Sequence, residues 1–144
     1  METLTLDPRT VDLDELIERG THLHGHLGPF LIAGIRMGLL ALELLGSSGY
    51  FGIEAESETG TITPLSCLTD GVQIGSGCTL GKGNIQVTDA RCPRVHFSNK
   101  AGQRVTIELR PNVYEAFSNG GLTEQCAVAR ETPLKEMFIC NTPQ

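Results

Sequence analysis

The sequence contains no tryptophan, and aromatic residues make up only 5% of it. That is too little to build the stacking platforms on which single-stranded nucleic acids rest. It also lacks any cluster of lysine and arginine. With 11 basic against 17 acidic residues the net charge is −6, and neutralising a phosphate backbone needs concentrated positive charge. Nucleic acid is therefore not an expected partner. No apolar run is long and clean enough to span a bilayer, which takes about 20 residues. The most apolar stretch, residues 30–45, is interrupted by Arg36 and Glu43, so no membrane association is expected. Residues 1–10 carry acidic side chains and no apolar segment, so no secretory signal is read there and the expected compartment is the cytoplasm. Finally, no CxxC pair occurs among the five cysteines, Cys67, Cys78, Cys92, Cys126 and Cys140. An odd count in a reducing compartment argues against a disulfide framework and for free thiols or metal ligands.

What is present fits one domain over residues 1–144, with 40% hydrophobic and 19% charged residues. Residues 11–19 predict a short amphipathic helix on Val11, Leu13, Leu16 and Ile17, stopped by Gly20. Pro29 suits a first helical turn. Residues 30–45 follow as a long helix, apolar on nearly every face and therefore central, ending at Gly46, with Arg36 as an exposed or paired exception. Alternation in 53–58 predicts a strand with one solvated face. Residues 66–75 read as a helix with Ser66 as N-cap, and a Gly-rich loop then runs to Asn84. Strands are expected at 85–88, 94–97 and 104–109, the last two as a hairpin, with short helices at 112–117 and 133–137. The sum is an α+β fold: a mixed or antiparallel sheet packed against a long buried helix in the N-terminal part.

Three constellations can carry chemistry. The first is His22, His24 and His26. In extended chain this alternate spacing puts all three imidazoles on one side. They enter the proposed long helix at its positive end, which favours neutral imidazole and hence metal ligation. The second is Cys67, Asp70 and Gln73, stacked on one helix face by their three-residue spacing. The dipole at the first turn favours a Cys67 thiolate, able to act as ligand or nucleophile; the alternative is a buried thiol serving as a small hydrophobe. Asp70 can orient a histidine, ligate a metal or serve as a base. The third is the loop at residues 75–84, with Gly75, Gly77, Gly81 and Gly83, Cys78 and Lys82. Its spacing is not that of a P-loop. Thiolate together with imidazole suits zinc, iron, copper or nickel rather than magnesium or calcium. His96 reads as a sheet-face histidine, and Cys92, Cys126 and Cys140 have no defensible partner spacing.

The segments HGHLGPFLIAGIRMG (24–38) and CLTDGVQIGSGCTLGKGN (67–84) together resemble the core domain of the E-subunit family of formylmethanofuran dehydrogenase. The resemblance implies an α+β core, commonly a homodimer, with a cavity holding a transition metal, zinc first and iron or nickel as alternatives. Carried over residue by residue, the metal ligands are His24, His26, Cys67 and Cys78. Cys67, Asp70 and Cys78 are the catalytic candidates, and Gln73, Thr79 and Lys82 the cofactor-binding ones. The parent enzyme joins carbon dioxide to methanofuran in methanogenesis, with its redox chemistry on a separate molybdenum or tungsten subunit. Nothing in this sequence resembles that redox subunit.

Two departures stand out: Gly28 occupies a position where many members have cysteine, and no C-terminal CxxC zinc finger follows the core. Three readings result. The chain is a transition-metal protein, accessory to an oxidoreductase complex or stand-alone; a small-molecule enzyme with a cysteine nucleophile, histidine base and Asp70 as orienter; or a structural subunit with a vestigial cavity.

Overall fold

The computed structural model describes residues 2–141. Its first two helices are α1 (Leu13–His24) and α2 (Pro29–Leu45), followed by strand β1 (Ile53–Ser57), helix α3 (Cys67–Ser76) and strand β2 (Ile85–Val87). Strands β3 (Arg94–Asn99) and β4 (Arg104–Leu109) form the expected hairpin. Helices α4 (Pro111–Asn119), α5 (Leu122–Glu131) and α6 (Leu134–Met137) lead into a last strand, β5 (Phe138–Cys140). The fold is the expected α+β arrangement. Among the described residues five strands form one sheet in the order β2-β1-β3-β4-β5. The β1–β2 pair is parallel and the others antiparallel. Helix α3 is thus the crossover of a β1–α3–β2 unit, because parallel neighbours cannot be joined by a tight turn.

Alternation decides which face of the sheet is covered. Ile53, Ala55, Val95, Phe97, Val105, Ile107 and Leu109 are buried and form one core with α2. The opposite face stays polar and pairs with itself. Arg94 bridges Glu58 and Glu108, and His96 joins Glu58 at 2.5 Å and Thr106 at 2.7 Å. His96 is therefore the sheet-face histidine its sequence position predicts. None of the described helices is long and apolar enough to cross a membrane.

Helix α2 is buried on most of its surface, with Pro29 in its first turn and Gly46 as its left-handed cap. Its one basic residue, Arg36, donates Nη1 hydrogen bonds to the carbonyls of Ala129 (2.9 Å) and Thr132 (2.6 Å). A cation thereby closes the negative end of α5. Against α3, α2 makes a backbone-to-backbone crossing. Gly34 and Gly38 face Gly71 and Gly75, and a Cβ on any of the four would run into backbone atoms of the other helix. Gly75, the last residue of the helix expected at 66–75, belongs to this seam inside α3.

Helix α1 differs from its expected form at both ends. Asp12 is the N-cap, its carboxylate accepting from the amides of Asp14 and Glu15. Gly20 does not stop the helix: it is buried against Ile35, Leu31 and Ile74. A glycine there lets α1 approach α2 closely, and the helix runs on to His24, where Gly25 in the left-handed region ends it. Helix α5 and strand β5 have no counterpart in the sequence reading.

Candidate functional site

The extension of α1 rearranges the histidines. His22 and His24 lie in its last turn, two residues apart and hence on different faces, and His22 is exposed. The expected three-imidazole row does not form. His24 also stands at the negative end of α1, not at the positive end of α2. Its Nδ1 lies 2.6 Å from Asp70 Oδ2, across 46 residues of sequence. Asp70 is held there by the first turn of α3, where a negative charge is favoured. Gln73 braces it, donating from Nε2 to Asp70 Oδ1 (3.2 Å) and accepting from the Leu80 amide on its Oε1 (3.2 Å). The first and second constellations therefore do meet, through His24, Asp70 and Gln73.

These three side chains open onto a cleft of about 700 Å³. Thr61, Thr63, Ser66 and Thr69 line its polar part, and Leu80, Ile85 and Val87 its apolar part. Behind Thr69, the hydroxyls of Ser57 and Thr59 complete a buried cluster with contacts of 2.7 to 3.3 Å. Sequence reasoning missed these hydroxyl residues. Their dense spacing between Ser57 and Thr69 was the available signal.

The cysteines go elsewhere. Cys78 is fully buried, its thiol 3.7 Å from the carbonyl of Ile53. Burial raises its pKa, against smaller lowering effects of Ser76 and Lys82. Cys67 is also buried, as in the buried-thiol alternative to a thiolate. Burial first, and the nearby Asp70 charge second, raise its pKa. In both, desolvation disfavours the anion and holds the sulfur toward the protonated thiol. Thr79 caps a single 3-10 turn, Leu80–Lys82. Lys82 bonds back to Gly77 O and Thr79 Oγ1 and lines a different cleft.

The four expected metal donors, His24, His26, Cys67 and Cys78, are not gathered into one shell. Among the described residues no three His, Cys, Asp or Glu side chains converge closely enough to hold an ion. What exists is an imidazole pair, His24 and His26, with ring centroids 5.6 Å apart. His24 Nδ1 contacts Asp70, and His26 Nδ1 lies 2.7 Å from its neighbour's carbonyl, Leu27 O. With N–H on Nδ1 in each ring, both Nε2 lone pairs are left for a ligand. Position 28 adjoins this pair: a Cβ on Gly28 would lie 3.8 Å from His26 Nε2. The glycine thus removes a side chain from the very edge of the imidazole pair. Two donors fall short of the three or four that zinc takes from protein.

The comparisons agree with this architecture. A crystal structure of a tungsten formylmethanofuran dehydrogenase FmdE-like protein from Syntrophus aciditrophicus superposes with a TM-score of 0.64. It covers 96% of this chain and 76% of that one at 20% identity, a likeness of fold. A protein of Archaeoglobus fulgidus named "Probable S-adenosyl-L-methionine-binding protein" is 37% identical over 114 residues, 76% of this chain. The match covers only 31% of that relative's length. The family model described as "FmdE, Molybdenum formylmethanofuran dehydrogenase operon" matches residues 23–141. With most of its length matched, this chain belongs to the FmdE family.

Proposed function

We propose that this FmdE-family domain binds a small polar molecule in the cleft beside α3, with His24, backed by Asp70, as the group that meets it. The observation that carries this reading is the 2.6 Å His24–Asp70 pair at a cleft of about 700 Å³, within the range of roughly 300–1,000 Å³ usual for small-molecule sites. S-adenosyl-L-methionine is the first ligand to test. The relative's name points to it, and its chemistry fits the lining. A purine can lie against Leu80, Ile85 and Val87, hydroxyls line the polar wall, and Asp70 offers the negative charge a sulfonium or ammonium group seeks. Calorimetric titration with S-adenosyl-L-methionine should give a dissociation constant in the micromolar range, weakened about tenfold or more by Asp70→Asn. No binding at millimolar ligand, or equal binding by the variant, would sink the proposal.

A second reading keeps the transition metal, zinc first and iron or nickel after it, on the Nε2 atoms of His24 and His26, with other positions filled by water or ligand. It rests on both Nδ1 atoms being engaged. Elemental analysis of untagged protein purified anaerobically tests it: about one ion per chain, lost in His24→Ala, supports it. Gly28→Cys should tighten zinc binding by placing a thiol beside His26 Nε2.

The same cleft has an apolar border. Leu80 and Val87 line it, Leu23 adjoins His24 in the chain and Ile62 lies between Thr61 and Thr63; all four are exposed. A homodimer covering this border is the assembly the proposal favours, and components of an oxidoreductase complex are the alternative partners. Light scattering of the purified chain tests the first, and co-purification from native cells the second.

A further inference from the structure

We propose that a second cleft, between the turn at residues 51–52 and the β3–β4 hairpin, binds a small anion carrying a flat ring, of the nucleoside monophosphate class. This cleft holds about 540 Å³ and is lined by Phe51, Glu54, Lys82, Asn84, Ser98 and Lys100 among others. It shares no lining residue with the His24 cleft.

Charge is the first argument. The chain has three lysines and a net charge of −6. Two of those lysines line this one cleft, against a single carboxylate, Glu54. In so acidic a protein, a local excess of positive charge is a specific feature of the site.

The lysines are also positioned. Lys82 Nζ donates to Gly77 O at 2.8 Å and to Thr79 Oγ1 at 3.0 Å, which leaves one of its three protons for a ligand. Lys100 lies along Gly52, whose missing side chain makes room for it: a Cβ at Gly52 would meet Lys100 Cε at 2.7 Å. Both lysines therefore reach the 51–52 turn, Lys100 at Gly52 and Lys82 at Phe51.

An aromatic surface adjoins Lys82. Phe51 is 54% exposed, unusual for a residue of its hydrophobicity, and Lys82 Nζ sits 5.4 Å from its ring centroid. An exposed ring beside one cation, in a cleft lined by a second, offers a base a stacking face and its phosphate two counter-charges. Asn84 is committed elsewhere, accepting from the Thr79 amide and donating to Tyr50 O, so it holds the loop under Lys82 in shape.

The test is calorimetric titration of the full chain with adenosine monophosphate at low salt, beside adenosine and inorganic phosphate. Adenosine monophosphate should bind, and each half-ligand should bind about tenfold more weakly or worse. Lys100→Ala and Phe51→Ala should each weaken it about tenfold, and Lys100→Arg should restore most of the affinity. His24→Ala should leave it unchanged. Both substituted side chains are at the surface, and circular dichroism verifies that the variants fold. The proposal is overturned if adenosine monophosphate gives no heat at millimolar concentration. It is equally overturned if binding survives Lys100→Ala and is lost in Asp70→Asn, which would place the nucleotide in the His24 cleft. Failure of S-adenosyl-L-methionine to bind beside His24 leaves this outcome untouched, because the two sets of variants do not overlap in effect.

Discussion

Gly71→Ala tests the glycine seam on which the placement of Asp70 depends. The added methyl would meet the Leu31 carbonyl oxygen, Gly34 Cα at 2.8 Å and Ile35 N at 2.8 Å. Carbon atoms rest about 3.5–4.0 Å apart, so α2 and α3 must part by roughly 1 Å. All three obstacles are backbone atoms within helices, and no rotamer change relieves them. Overpacking typically costs about 1–3 kcal/mol, and a rigid site of this kind belongs at or above the top of that range. Alanine returns about 1 kcal/mol through its higher helix propensity. The net loss is about 2–3 kcal/mol, a fall in Tm of roughly 6–9 °C for a domain of this size. Thermal unfolding followed by circular dichroism measures it. Gly81→Ala is the control: nothing lies within 4 Å of that Cβ and its φ is not positive, so its Tm should hold or rise slightly. A Gly71→Ala protein as stable as the parent would refute the close crossing and the account of how α3 presents Asp70.

Three further outcomes are expected. Arg36→Met removes two charge-assisted bonds to the carbonyls of Ala129 and Thr132 and should cost about 2–3 kcal/mol in urea unfolding; a neutral result would mean α5 does not depend on this cap. Cys140, exposed, should be alkylated first in the native protein, and Cys78, fully buried, only on unfolding. The pH dependence follows from the thiols of Cys67, Cys78, Cys92 and Cys126, all raised above 9.0 in the folded protein by burial as the leading cause. Below that value folded and unfolded thiols are both protonated and contribute no pH dependence. Above it the unfolded chain ionises first, so stability should fall as pH rises beyond about 9. A flat unfolding midpoint from pH 8 to about 10.5 would contradict this.

Much of the fold was legible because periodicity reports burial directly. Helix α2, the alternation of β1 and the β3–β4 hairpin follow from side-chain patterns alone. The glycines were harder, since a glycine says only that a side chain is intolerable and not why. Gly20 looked like a helix stop and Gly75 like the end of a helix, yet both serve close helix approach. Misplacing the end of α1 then misplaced the histidines, because extended chain and helix send alternate residues to different sides. The pairing of His24 with Asp70 joins residues 46 apart, and only their capacity for such contact was readable beforehand. For Cys67, sequence position offered both a helix terminus and a buried thiol, and only the fold shows the burial that raises its pKa.

The two imidazoles of the pair belong to different bodies. His24 rides on the end of α1, while His26 lies beyond the Gly25 turn, on the approach to α2. Their spacing is therefore a readout of how α1 sits on its neighbours, not a property of five residues of chain. A molecule or ion that touches both rings must fasten one helix to the other. Part of its binding free energy is then spent on, or recovered from, the seating of α1, so affinity and local order at that end of the domain rise and fall together.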